Sequence, residues 1–100
     1  MERPGHSILD PDGREVVFDA GSHLHLALGA RSRLLDHVET ILAVVARPDH
    51  RSDDFRAGRE RFYRQNPLEP ERWMRVVVDF NDVPAWVVTV VLQNGDPRWR

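Results

Sequence analysis

Residues 72–92 constrain this chain more than any other stretch. They read R-W-M-R-V-V-V-D-F, then N-D-V-P, then A-W-V-V-T-V-V-L. Two β-branched and aromatic runs flanking a turn-prone tetrad predict an antiparallel hairpin. Strand side chains alternate, so Met74, Val76, Val78 and Phe80 share one face of the first run, and Trp86, Val88, Val90 and Leu92 share one face of the second. All of these are apolar, and that face is expected to press on a core. The opposite face sets Trp73, Arg75, Val77 and Asp79 against Ala85, Val87, Thr89 and Val91, a mixed surface where chemistry is expected.

The rest of the chain supplies a hairpin and helices. Ile8-Leu9 and Glu15–Phe18 flank D-P-D-G-R, in which Pro11 presets φ and Gly13 tolerates φ > 0. Residues 19–29 suit a short helix, capped by Asp19 or Ser22 and closed by Gly29, with Leu24 and Leu28 one turn apart. Alternation of His23, His25 and Ala27 against Leu24, Leu26 and Leu28 equally suits a strand; the helix is adopted. Residues 33–47 predict the main helix, with Leu34, Leu35, Val38, Ile41, Leu42 and Val45 on one face, Ser32 as N-cap and Pro48 as stop. Residues 49–58 are polar and expected to be a loop. Residues 60–65 alternate as a further strand, Phe62 inward and Arg61 and Tyr63 outward; residues 66–71, with two prolines, connect it to the hairpin. The sum is one α+β domain over residues 1–100: an N-terminal hairpin and one or two helices on one face of a four- to five-stranded antiparallel sheet.

Composition narrows the chemistry. At 100 residues, 41% hydrophobic and 30% charged, the chain suits one soluble domain burying roughly 60–70% of its unfolded surface. No apolar run reaches the ~20 residues of a membrane helix, and the N-terminus has no apolar signal core, so a cytoplasmic protein is expected. The absence of cysteine excludes disulfides, thiolate metal sites and thiol catalysis. All 14 basic residues are arginine, which removes lysine chemistry. A net charge of -2 and a pI of about 6.2 argue against a non-specific nucleic-acid coat, so any nucleic-acid role needs a local basic patch.

Three signals carry candidate chemistry. His23 and His25 form an H-x-H pair, but no third or fourth ligand accompanies them, and no metal or other cofactor is expected. One of them as general acid/base is the better use, since the histidine pKa of ~6.5 straddles working pH. His37 flanks the main helix as a structural residue; His50 and His6 have no distinctive setting. Arg51, Arg56, Arg59, Arg61 and Arg64 crowd a short stretch with only Asp53, Asp54 and Glu60 against them. Such guanidinium forks hold an RNA backbone, or else pair with the neighbouring acids on a solvated loop. Arg61 and Tyr63 share the mixed face with Arg75 and with Thr89, the one hydroxyl in V-V-T-V-V. Asp79 on that face suits a salt bridge to Arg75. No Ser-His-Asp triad, P-loop or dinucleotide fingerprint can be assembled.

D-P-D-G-R-E-V-V-F, a His-containing helix, a longer helix ending R-P-D-H, R-E-R-F-Y-R, W-M-R-V-V-V-D-F and V-V-T-V-V follow in that order from about Ile8 to Leu92. This order resembles a bacterial and phage group within the barnase–EndoU–colicin–RelE superfamily of small ribonucleases. The resemblance implies helices packed on an antiparallel sheet, and metal-independent RNA cleavage by attack of the ribose 2′-hydroxyl. It makes His25 the proton-moving residue, or His23 if a small insertion or deletion intervenes. Arg61 or Arg64 with Tyr63 then stabilises the phosphorane, and Thr89 orients an oxygen. Arg59, Arg64, Arg75 and His23 are the expected phosphate contacts.

The chain departs from the group's pattern. It reads H-L-H-L-A-L-G-A-R-S where members often carry His-Ile followed by Arg-His-Pro-Glu, and His23 stands at the usual tryptophan. Two functions are therefore expected. One is a ribonuclease of toxin or phage-associated type acting on RNA. The other is the same fold without chemistry, binding RNA or a cognate antitoxin or immunity protein. A homodimer is compatible with both.

Overall fold

The computed structural model describes residues 6–18, 38–66 and 69–97. Within them the chain forms β1 (His6–Leu9), β2 (Glu15–Phe18), α1 (Val38–Ala46), β3 (His50–Asp53), β4 (Arg59–Gln65), β5 (Arg72–Asp79) and β6 (Ala85–Asn94). All six strands join one sheet in the order β1-β2-β6-β5-β4-β3. The α+β class agrees with the sequence; the sheet exceeds the expected four or five strands. It is also mixed rather than purely antiparallel. β2 runs parallel to β6, pairing Val16 with Ala85 and Val17 with Trp86, while the other pairs are antiparallel. A parallel pair needs a long crossover, here most of the chain, and no local pattern announces it.

α1 is short for a free-standing helix, nine residues rich in β-branched side chains. Packing holds it. Ile41, Val44 and Val45, spaced three and four apart, are essentially fully buried and join one core with Val16, Phe18, Phe62, Met74, Val76, Val78, Ala85, Val87 and Val90. Burying each such side chain contributes roughly 1.5–3 kcal/mol. The Arg47 N–H donates to the Ala43 carbonyl at 2.8 Å before Pro48 ends the helix. The expected start of this helix, with Leu34, Leu35 and His37, and the expected helix over 19–29 lie outside the described residues.

Two expectations are corrected here. Trp86 and Val88 do not face the core with Val90 and Leu92; Ala85 and Val87 do. The cause is a β-bulge. Val77 pairs with Thr89 but Val78 pairs with Val87, so the extra residue Val88 inverts the alternation of the strand before it. Residues 49–58 are not all loop, since β3 pairs with β4 from His50↔Tyr63 to Asp53↔Glu60. β3 is polar because it is the sheet's last strand, where apolar side chains would invite further pairing.

The β1–β2 turn forms as its composition dictates. Asp10 Oδ1 accepts from the Asp12 and Arg14 N–H groups at 3.0 and 2.8 Å, and Gly13 sits at φ +83°. In the β5–β6 turn Asp79 Oδ1 accepts from the Asn81 N–H at 2.8 Å.

Candidate functional site

Arg59, Arg61, Tyr63, Arg75 and Thr89 come together on the sheet face opposite the α1 core. Register puts them in rows across the strands. His50, Tyr63, Arg75 and Val91 form one row; Ser52, Arg61, Val77 and Thr89 form the next; Arg59, Asp79 and Trp86 the third. Strands lie ~4.8 Å apart, so His50 and Arg75 flank Tyr63 and stand about 10 Å from each other, with the next row about 7 Å away along the strands. The floor is apolar and aromatic: Tyr63 and Trp73 are 4% exposed and Val77 7%.

The charges on this face differ in availability. Arg59 Nε donates to Asp79 Oδ2 at 3.2 Å. The Asn81 N–H is the main reason the Asp79 carboxyl sits below its usual range, with Arg59 adding to it. Arg61 Nε donates to Asp54 Oδ1 at 2.7 Å. Burial alone pushes the Asp54 carboxyl up, yet the Arg61 hydrogen bond and the Arg56 N–H carry it below the usual value. Arg61 is in turn held more firmly protonated, by Asp54 first and the Tyr63 hydroxyl second.

Arg75 is different. Its Nε is buried and has no hydrogen-bond partner, and among the described residues no ion pair reaches its guanidinium. The expected Arg75–Asp79 bridge is replaced by Arg59–Asp79. An unpaired buried donor costs about 1–3 kcal/mol, and Arg75 differs from Arg59 and Arg61 in that no acceptor among the described residues takes its charge.

His50 is the residue that sequence reasoning passed over. Its ring lies 5.4 Å from the Tyr63 ring, tilted by 37°. The signal was the alternation of His50 and Ser52 against Arg51 and Asp53, obscured because a polar stretch after a helix reads as loop.

Two arginines leave the expected patch. Arg64 pairs with Met74 on the α1 side and donates from Nη1 to the Arg47 carbonyl at 3.0 Å, placing a cation at the negative end of the helix. It shares no surface with Arg61 because adjacent-parity positions of a strand face opposite ways. Arg51 also turns to the α1 side, over the Phe62 ring at 5.1 Å. His23 and His25 lie outside the described residues. Among the described residues no three His, Asp or Glu side chains converge as a metal site, and no helix is long and apolar enough to cross a membrane.

The chain matches no family model, no curated protein and no solved structure.

Proposed function

We propose that the face carrying His50, Tyr63, Arg61, Arg75 and Thr89 binds the RNA backbone and cleaves it without metal, by attack of the ribose 2′-hydroxyl on the adjacent phosphorus. The Arg75 guanidinium beside Tyr63, which no acceptor among the described residues takes, carries this reading, because the natural complement of such a fork is a phosphate. In the reaction the 2′-oxygen forms a bond to phosphorus and the P–O5′ bond breaks. A base takes the 2′-hydroxyl proton and an acid gives one to the departing 5′-oxygen, leaving a 2′,3′-cyclic phosphate and a 5′-hydroxyl. Arg75 and Arg61 offset the charge that builds on the phosphorane oxygens, and Thr89 orients one of them. In this reading His50, whose ring lies beside the Tyr63 ring, moves the proton. His25 is the imidazole named by the sequence resemblance. The toxin-type setting, with an antitoxin or immunity protein as partner, rests on that resemblance alone.

A specific observation favours a second reading, binding without chemistry. Arg59 and Arg61 are already occupied by Asp79 and Asp54, which leaves Arg75 as the unpaired guanidinium of this face among the described residues, rather than a cluster. The discriminating experiment incubates the protein with single-stranded RNA in chelator and analyses the ends produced. Cleavage yielding 2′,3′-cyclic phosphate, abolished by 2′-O-methylation and by His50→Gln or His25→Ala, supports the nuclease. Binding without cleavage supports the second reading, and neither binding nor cleavage overturns both.

A further inference from the structure

Phe55 is 80% exposed, in the β3–β4 turn, where a loop needs no aromatic side chain. The turn is tied: the Asp54 N–H donates to the Arg59 carbonyl at 3.0 Å, the Arg59 N–H to the Arg56 carbonyl at 3.2 Å, and the Arg56 N–H to Asp54 Oδ2 at 3.2 Å. Two guanidiniums attend the ring, Arg56 at 5.3 Å and Arg61 at 5.9 Å from its centroid. Arg61 belongs to the phosphate-facing row, so the exposed ring continues the candidate site past its edge.

We infer that Phe55 is a stacking platform for one unpaired nucleobase, making single-stranded RNA the substrate class of this face. The inference rests on the proposed RNA-binding function and specifies it. An exposed aromatic flanked by cations offers a π-surface to a base and positive charge to the phosphate on the same nucleotide. A base in a duplex has no free face, so the platform selects unstacked nucleotides. Charge favours the occupant: Asp54 already holds Arg61, so Arg56 supplies the positive charge available beside the ring, which suits a polyanion that carries flat apolar rings.

The test measures binding of wild type, Phe55→Ala and Phe55→Trp to three probes at one salt concentration: a single-stranded RNA oligonucleotide, the same backbone without bases, and a duplex. Phe55→Ala is expected to weaken binding of the single strand by about tenfold and leave the abasic backbone unchanged. Phe55→Trp is expected to restore it. Equal binding of the single strand by wild type and Phe55→Ala overturns the platform while leaving the proposed function standing. No binding of any probe by wild type overturns both. Sedimentation supplies a further check: loss of a dimer in Phe55→Ala, with RNA affinity unchanged, assigns the ring to a protein interface and overturns the inference. Phe55 is too exposed for folding to confound the variants.

Discussion

Arg14 donates from Nη1 and Nη2 to the two carboxylate oxygens of Glu60, at 3.0 and 3.1 Å, across 46 residues of chain. The pair ties the β1–β2 turn to β4 although β6 and β5 lie between them in the sheet. The guanidinium crosses that gap over the Phe80 ring, 3.7 Å from its centroid. Asp10 Oδ2 accepts from Arg14 Nε at 2.9 Å, and Arg51 Nη2 reaches both Asp12 and Glu60. The first prediction is that Arg14→Ala destabilises the fold by about 1–3 kcal/mol, towards the lower end because Arg14 is partly exposed. Asp10→Ala costs a similar amount, since its fully buried carboxylate satisfies two turn N–H groups. Urea denaturation checks both; losses within experimental error would show the network to be ornamental.

Acid should weaken the protein through the same groups. The Arg14 hydrogen bond is the main cause that holds the Glu60 carboxyl below its usual range, and Asn81 does the same for Asp79. Asp54 is also lowered, despite its burial, by Arg61. Each folded-state pKa thus lies below its unfolded value near 4, so the unfolded chain binds more protons in that range. The stabilisation is complete above about pH 5 and is lost as pH falls through the folded-state values. Denaturation midpoints measured from pH 7 to pH 3 should decline below about pH 5. Glu60→Gln should be less stable at pH 7 and lose part of that decline. A wild-type midpoint unchanged down to pH 3 contradicts the assignment.

Gly58 and Gly13 should respond differently to alanine. Both have positive φ, +79° and +83°. A Cβ at Gly13 meets nothing, so Gly13→Ala costs only the left-handed backbone penalty, roughly 1 kcal/mol. A Cβ at Gly58 would run into the Asn81 side-chain amide, which donates to the Ala57 carbonyl and to Asp79. Gly58→Ala is therefore expected to cost more than Gly13→Ala, and the double variant Gly58→Ala/Asn81→Ala to be sub-additive. Thermal unfolding of these three variants and of Asn81→Ala decides it; equal costs at the two glycines would remove the steric argument.

Arg75 separates folding from binding. Replacing an unpartnered, partly buried guanidinium by Met removes a desolvated charge and keeps the aliphatic stem, so Arg75→Met should be neutral or mildly stabilising. The same variant should weaken RNA binding and lower the slope of affinity against salt by about one phosphate contact. Calorimetry of the apo protein alongside a salt titration of binding tests both halves. A stability loss above about 1 kcal/mol would mean that Arg75 is structural.

The strongly alternating and strongly periodic stretches declared themselves in the sequence: the β5–β6 hairpin, the D-P-D-G turn, Phe62 inward on β4, and Ile41 and Val45 on the helix. Alternation also puts Arg61, Tyr63, Arg75 and Thr89 on one surface, because side-chain direction along a strand is a local property. Local pattern does not encode which strand lies beside which. The parallel contact of β2 with β6, the Val88 bulge that turns Trp86 out and Val87 in, and the recruitment of polar β3 to the sheet's end depend on partners distant in sequence. So does the chemistry of the candidate face. Asp54 takes Arg61 and Asp79 takes Arg59, while Arg75 is left unpaired beside Tyr63 and His50, a division of charge that only the assembled sheet imposes because ion pairs form between whichever groups packing brings within reach.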